Sequence, residues 1–221
     1  MVRYMEGIRG VNYIEYGKQR DNKIVELVTR GTAFTRTHIE KLLFNQKDAT
    51  RKAQLRLQIL TERGRLKKIT RPHEPSVYYT RKRPRNLDHI LEINDVYTAV
   101  MSQKKSIYTV KWQWSYPLMG GKLWADAMID LKNQMTNRRH VIFVEVERYA
   151  DHRFVKDKTY ESIASMPWTN EEWAITESTR ILFPAILIVT NTKLAIKSHL
   201  DFTVEPLDSL KHDVYSVLLR R

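Results

Sequence analysis

Apolar residues recur at helical spacing three times in the first third of the chain. In DNKIVELVTR (21–30) Ile24, Val25, Leu27 and Val28 share one face, with Asp21 or Asn22 placed to cap the helix and Gly31 to end it. Thr35 or Thr37 can cap a second helix carrying Ile39, Leu42 and Leu43, and Thr37 with Glu40 has the spacing of a capping box. A third helix is predicted from about Asp48 to Arg63, ended by Gly64 and burying Ala49, Ala53, Leu57 and Leu60. Away from that seam, Thr50, Arg51, Gln54 and Gln58 fall into a contiguous polar stripe. The pattern then changes: RLKKIT (65–70) and SVYYT (76–80) read as two strands joined by RPHEP. Three helices followed by a basic hairpin predict a winged helix-turn-helix over residues 1–86.

RKRPRN (81–86) is a basic, Pro-containing joint, and the boundary is placed there. Beyond it, DHILEINDVYTAVM (88–101) has helical spacing through Ile90, Leu91, Ile93, Val96, Tyr97 and Val100. Strand-like and helix-like blocks then alternate: SIYTVKWQWSY (106–116), KLWADAMIDLK (122–132), HVIFVEVE (140–147), a helix near 154–166, ILFPAILIVTN (181–191), a helix near 193–199 and a final FTVEPL segment. This order predicts an α/β domain with a mixed sheet over residues 87–221, and an α+β chain as a whole. The aromatic strand with Tyr108, Trp112 and Trp114 is expected to pack in the core, while Trp168 and Trp173 are candidates to anchor a loop or a partner.

Charge divides the chain at the same place. Residues 1–86 hold 21 Lys and Arg against 8 Asp and Glu, a net of +13, and residues 87–221 hold 17 of each. A basic module attached to a neutral one implies a polyanion-binding face, with double-stranded DNA the expected partner. In a winged helix the third helix reaches base edges and the hairpin meets phosphates. Thr50, Arg51, Gln54 and Gln58 are therefore the candidate readers, since Arg suits guanine and Gln suits adenine. Lys52, Arg56, Arg63, Arg65, Lys67, Lys68, Arg71, Arg81, Lys82, Arg83 and Arg85 are candidates for the DNA backbone. The absence of cysteine excludes disulfides, zinc–thiolate sites and Cys nucleophiles. With no apolar run long enough for a membrane span and no secretion-type leader, the expected location is the cytoplasm.

Carboxylates of the second domain fall at strand ends. Asp126 lies in LWADAMIDL, and Glu145 and Glu147 end HVIFVEVE. Carboxylates on apolar strands are costly to bury alone, so they are expected to face a cleft, a cation or a basic partner, with Lys156 and Lys158 on the next helix as the nearest candidates. An Asp on one strand and Glu-x-Lys on the next is the pattern with which restriction-endonuclease-like folds hold Mg²⁺. Here Glu147 stands at the lysine position, and Lys156 or Lys158 could supply the cation. Asp126, Glu145 and Glu147 are thus candidate ligands of Mg²⁺ or Mn²⁺, and with Lys156 and Lys158 candidate catalytic residues.

Taken in order, the winged helix, the DHILEINDVY helix, LWADAMID, FVEVER with the Lys156 and Tyr160 helix, and FPAILIVTN resemble the replication-relaxation proteins of plasmids and related mobile elements. The resemblance spans nearly the whole chain. It implies a winged helix fused to a restriction-endonuclease-like domain, acting in plasmid replication or DNA relaxation. The second domain is expected to assemble with a replication or transfer protein or with a second copy of the chain. Where that family carries Pro-Asp and Glu-x-Asp, this chain has Ala125-Asp126 and Glu145-x-Glu147. An accessory or regulatory DNA-binding protein is the reading preferred here, and a metal-dependent DNA endonuclease targeted by the winged helix is its rival. None of the seven histidines (38, 73, 89, 140, 152, 199, 212) forms the pair a relaxase needs, and Gly120-Gly121-Lys122 lacks the spacing of a phosphate-binding loop.

Overall fold

The structure, a computed structural model, describes residues 13–44, 47–148, 156–168, 171, 173–174 and 183–219. It is a mixed α+β chain with six helices among the described residues. The chain divides into two compact units, Met1–Arg85 and Asn86–Arg221. No described helix is long and apolar enough to cross a membrane.

The first unit runs α1 (Tyr13–Arg30), β1 (Ala33–Thr35), α2 (Arg36–Leu43), α3 (Ala49–Glu62), β2 (Lys67–Arg71) and β3 (Glu74–Tyr79). Its three strands are antiparallel in the order β1-β3-β2, with Phe34 opposite Tyr78 and Ile69 opposite Val77. The helical stripes converge on one core, where Ile24, Val28, Phe34, Ile39, Ala53, Leu57, Leu60 and Val77 are all fully buried. Burying side chains of this size contributes roughly 1.5–3 kcal/mol each.

Several local details differ from the sequence reading. α1 begins eight residues before Asp21, and Asp21 sits within it as a buried ion-pair partner rather than a cap. The short β1 was not foreseen; it ends at Thr35, which caps α2. The Thr35 hydroxyl accepts from the His38 N–H at 3.2 Å, and the His38 ring accepts from the Thr35 N–H at 3.2 Å, so the reciprocal box is Thr35/His38 and not Thr37/Glu40. Ala49 is half-buried, at the start of α3, behind an Asp48 in the left-handed region (φ 62°). The hairpin turn is tighter than RPHEP, because Glu74 and Pro75 already belong to β3 and only Pro72 and His73 (φ 58°) make the turn.

The second unit runs α4 (Leu87–Ser102), β4 (Tyr108–Leu118), β5 (Leu123–Asn133), β6 (Arg139–Val146), α5 (Asp157–Ala164), β7 (Ala185–Val189), β8 (Phe202–Glu205) and α6 (Leu207–Leu218). One five-stranded sheet has the order β4-β5-β6-β7-β8, antiparallel through β6 and parallel from β6 to β8. α4 and α6 cover one face, packing Val96, Val100, Val214 and Leu218 onto Ile129, Val144 and Leu187. On the opposite face Tyr160 and Ile163 of α5, with Trp173, cover Phe143, Ile186 and Ile188. Coverage on both sides explains why β6 and β7 read as unbroken apolar runs. Trp112 is buried and Trp114 half-buried in this core, where the Trp114 indole donates to Asn94 at 2.8 Å. Trp173 is buried and stacks on Trp168.

Residues 193–199 are not helical. Leu194, Ile196 and Leu200 turn inward at alternate positions, a period of two along an extended segment. The helix at this end is α6, which follows Pro206 and was not foreseen from the sequence. Residues 154–155 of the expected fifth helix and 181–182 of the expected strand lie outside the described residues.

Candidate functional site

In the first unit, the polar stripe of α3 is exposed along its length: Thr50, Arg51, Gln54 and Gln58 all face solvent. Gln54 and Gln58 join Lys68, His73 and Ser76 of the hairpin, with Arg36 of α2, around a groove of about 570 Å³. The fold thus brings together stripe and hairpin residues that lie up to 22 positions apart in sequence. Acidic side chains on the same rim are engaged locally, since Glu62 accepts from Gln58 at 2.8 Å and Glu74 pairs with Arg71 at 2.6 Å.

Other members of the predicted set have partners of their own. The Thr50 hydroxyl donates to Glu40 at 2.7 Å, and Arg36 donates to the same carboxylate at 2.8 Å. Lys52 donates to the Lys47 carbonyl at 2.9 Å, Arg65 to Asn22 at 3.0 Å and Lys67 to the Arg81 carbonyl at 3.1 Å. Arg56 differs in kind. Its guanidinium makes a two-point pair with the buried Asp21, Nε to Oδ1 at 2.9 Å and NH2 to Oδ2, and the hydrogen bond to Asp21 raises its pKa against the cost of burial. The expectation of a backbone-contacting Arg56 is therefore replaced by a structural tie between α1 and α3. Arg51, Arg63, Lys68, Arg81, Lys82, Arg83 and Arg85 are exposed.

In the second unit the carboxylates and Lys156 do come together. Glu145 is fully buried on the α5 face of β6, where its Oε1 accepts from the Tyr160 hydroxyl at 2.6 Å and its Oε2 from Lys156 Nζ at 2.5 Å. Tyr160 lies one turn after Lys156, so both side chains reach the same strand position. Asp126 accepts from the Val146 N–H at 2.8 Å through Oδ2 and pairs through Oδ1 with His89 Nε2 at 3.1 Å. His89 stands in the first turn of α4, a helix tied to the end of β6 by Arg148, which pairs with Glu92 at 3.0 Å and Asp88 at 3.5 Å.

The electrostatics follow from burial. Desolvation pushes Glu145 up to about 7, with Asp126 adding to the rise and Lys156 and Tyr160 opposing it. Burial also raises Glu147, while Lys156 pulls it down. For Lys156, burial works to lower the pKa, but the charge and hydrogen bond of Glu145, helped by Asp126 and Glu147, raise it. The Asp126 hydrogen bond raises His89 above its ordinary value.

Two expectations are corrected here. Asp126, Glu145 and Glu147 do not form a metal cage: among the described residues no group of three or more His, Cys, Asp or Glu side chains could hold a metal ion. Both oxygens of Asp126 and both of Glu145 already meet a hydrogen-bonding partner. Lys158 is exposed on α5 and its ammonium makes none of the hydrogen bonds described for the site, so of these two lysines it is Lys156 that reaches Glu145. His89 was missed as a site residue because nothing near it in sequence marks it; Tyr160 was legible as the i+4 neighbour of Lys156.

Compared with models of known protein families, with curated proteins and with solved structures, the chain matches none.

Proposed function

We propose that the first unit is a winged helix that binds double-stranded DNA, with α3 in the major groove and the β2–β3 hairpin on the phosphate backbone. The observation that carries this reading is the groove in which Gln54 and Gln58 of α3 face Lys68 of the hairpin. The element order α1-β1-α2-α3-β2-β3 and the strand order β1-β3-β2 support it, as does the segregation of all net charge into this part of the chain. In this reading the second unit is a restriction-endonuclease-like scaffold. The whole then serves as an accessory or regulatory protein of a mobile element, acting in plasmid-type replication or DNA relaxation. The rival reading, a metal-dependent nuclease, has less support, since among the described residues no group of three or more His, Cys, Asp or Glu side chains could hold a metal ion.

Anisotropy titration of the full chain against duplex DNA tests the reading. With about six to eight phosphates contacted, log K falls with log salt at a slope of roughly −5 to −7. Lys68→Ala weakens cognate and random duplex alike and makes the slope shallower by about one. Arg51→Ala or Gln54→Ala costs on the order of 1–3 kcal/mol on a site selected from random duplexes and much less on random DNA. A slope near zero, or variants without effect on either duplex, refutes the assignment.

A further inference from the structure

We infer that the β5–β6 turn is a second contact for duplex DNA, with Met135 entering the minor groove and Lys104, Lys105 and Arg138 meeting the flanking phosphates. The charge of the second unit is sorted by position. Residues 102–111 and 132–140 hold six Lys and Arg and no Asp or Glu, which leaves 11 Lys and Arg against 17 Asp and Glu in the rest of 87–221. The fold puts these two segments at one end of the sheet: Tyr108 pairs with Asn133 and Thr109 with Lys132, and the Gln134 N–H donates to the Ile107 carbonyl at 2.8 Å. Asp126 and Glu145 lie towards the other end of the same strands. A unit that is neutral as a whole therefore has a cationic end, which suits a polyanion.

The turn is cross-braced and apolar at its tip. The Asn133 side-chain oxygen accepts from the Met135 N–H at 2.9 Å and the Thr136 N–H at 3.1 Å, and the Asn133 N–H donates to the Arg138 carbonyl at 2.8 Å. The Gln134 side-chain amide donates to the Thr109 hydroxyl at 2.9 Å, which fastens the turn to β4. Held this way, Met135 is 81% exposed, more than any other large apolar side chain among the described residues. Arg138 is exposed three positions further on, and Lys104 and Lys105 are exposed on the loop that leads to Ile107. Lys105 Nζ lies 5.9 Å from the centre of the Tyr215 ring, a contact that orders the ammonium without cancelling its charge. The neighbouring Asp130 is engaged by Arg139 through two hydrogen bonds, at 2.8 and 3.1 Å. A braced turn that presents an apolar side chain between cations matches the minor groove, where such a wedge enters between base steps while Lys and Arg meet the backbone. An anionic membrane is the weaker fit, because Met135 and the 36% exposed Ile107 offer too little apolar surface to anchor there. This inference concerns the second unit and does not depend on the winged-helix reading of the first.

The test uses the full chain and compares a duplex of guanine–cytosine pairs with one in which inosine replaces every guanine. The two present the same major groove, so base contacts made there cancel in the ratio, and they differ by the guanine amino group in the minor groove. Wild type is expected to prefer the inosine duplex by about five-fold, the lower end of what one base-pair contact discriminates. Met135→Ala is expected to bring that preference to about one, and Met135→Leu, which keeps the apolar volume, to retain it. The triple variant Lys104→Ala/Lys105→Ala/Arg138→Ala is expected to make the slope of log K against log salt shallower by roughly two to three. Equal affinity of wild type for the two duplexes overturns the proposal, as does an undiminished preference in Met135→Ala or an unchanged slope in the triple variant. Phosphatidylserine vesicles that bind wild type but not the triple variant, with the DNA slope unchanged, also overturn it, by assigning this end to a membrane surface. A slope unchanged in Lys68→Ala but shallower in the triple variant removes the reading of the first unit and supports this one.

Discussion

Glu145 makes the stability of the second unit depend on pH in a calculable way. Its folded value of about 7 lies above its ordinary 4.5, so the folded state holds the proton more tightly than the unfolded chain does. Stability is therefore greatest below 4.5 and falls as pH rises through 7. At 1.36 kcal/mol per pH unit the full loss is about 3 kcal/mol, and most of it falls between pH 5 and pH 8.5. His89, Glu92 and Glu147 are raised as well and shift stability in the same direction, so wild type alone does not isolate the effect. Glu145→Gln does, because it is nearly isosteric and does not titrate. All five tryptophans belong to the second unit, so urea unfolding followed by tryptophan fluorescence reports that unit. The stability difference between wild type and Glu145→Gln is expected to change by about 2–3 kcal/mol between pH 5 and pH 8.5, or about 1 M in urea midpoint. Parallel pH profiles for the two proteins would refute the buried, proton-holding role of Glu145.

Three further outcomes follow from single contacts. Tyr160→Phe removes the donor to Glu145 Oε1, so it should cost about 1–3 kcal/mol of stability and raise Glu145 further, steepening the same pH profile. Asp126→Asn keeps an acceptor for the Val146 N–H but withdraws the charge from His89, so the His89 proton resonances should titrate at lower pH than in wild type by NMR. Arg56→Ala strands the buried Asp21 and should destabilise the first unit by about 3 kcal/mol, seen as earlier loss of its helical circular dichroism with the tryptophan transition unmoved.

Periodicity carried most of the architecture. Ala53, Leu57 and Leu60 lie on the buried side of α3, and the apolar runs of β6 and β7 announce strands covered on both faces. Where the sequence misled, the local signal was real but had another use. Thr37/Glu40 has capping-box spacing, yet Glu40 is taken by Arg36 and Thr50, and the chain enters α2 from β1 at Thr35. KLAIKSH is rich in helix formers, but Leu194 and Ile196 are two apart and pack as an extended segment does. For the site, the identities of Asp126, Glu145 and Lys156 were legible from residue type and strand position. Their pairing was not, because it depends on α5 returning Lys156 and Tyr160 to one rung of β6, and on α4 bringing His89 from 37 residues away.

Rungs are missing on both sides of Asp126. Towards β4, the pairing passes from Trp114–Ala127 to Tyr116–Ala125 and omits Ser115, whose φ is +50°. Towards β6, the ladder stops at Ala127–Val144, and the next N–H that points inward, that of Val146, is met by the Asp126 carboxylate. A side chain here stands in for a peptide carbonyl. Position 126 accordingly serves folding whatever else it does, through an acceptor that Asp or Asn can supply. Alanine at this position would leave the Val146 N–H without its acceptor, a loss of fold stability that could be misread as a lost activity. Drift would show first at His89, which the backbone does not need.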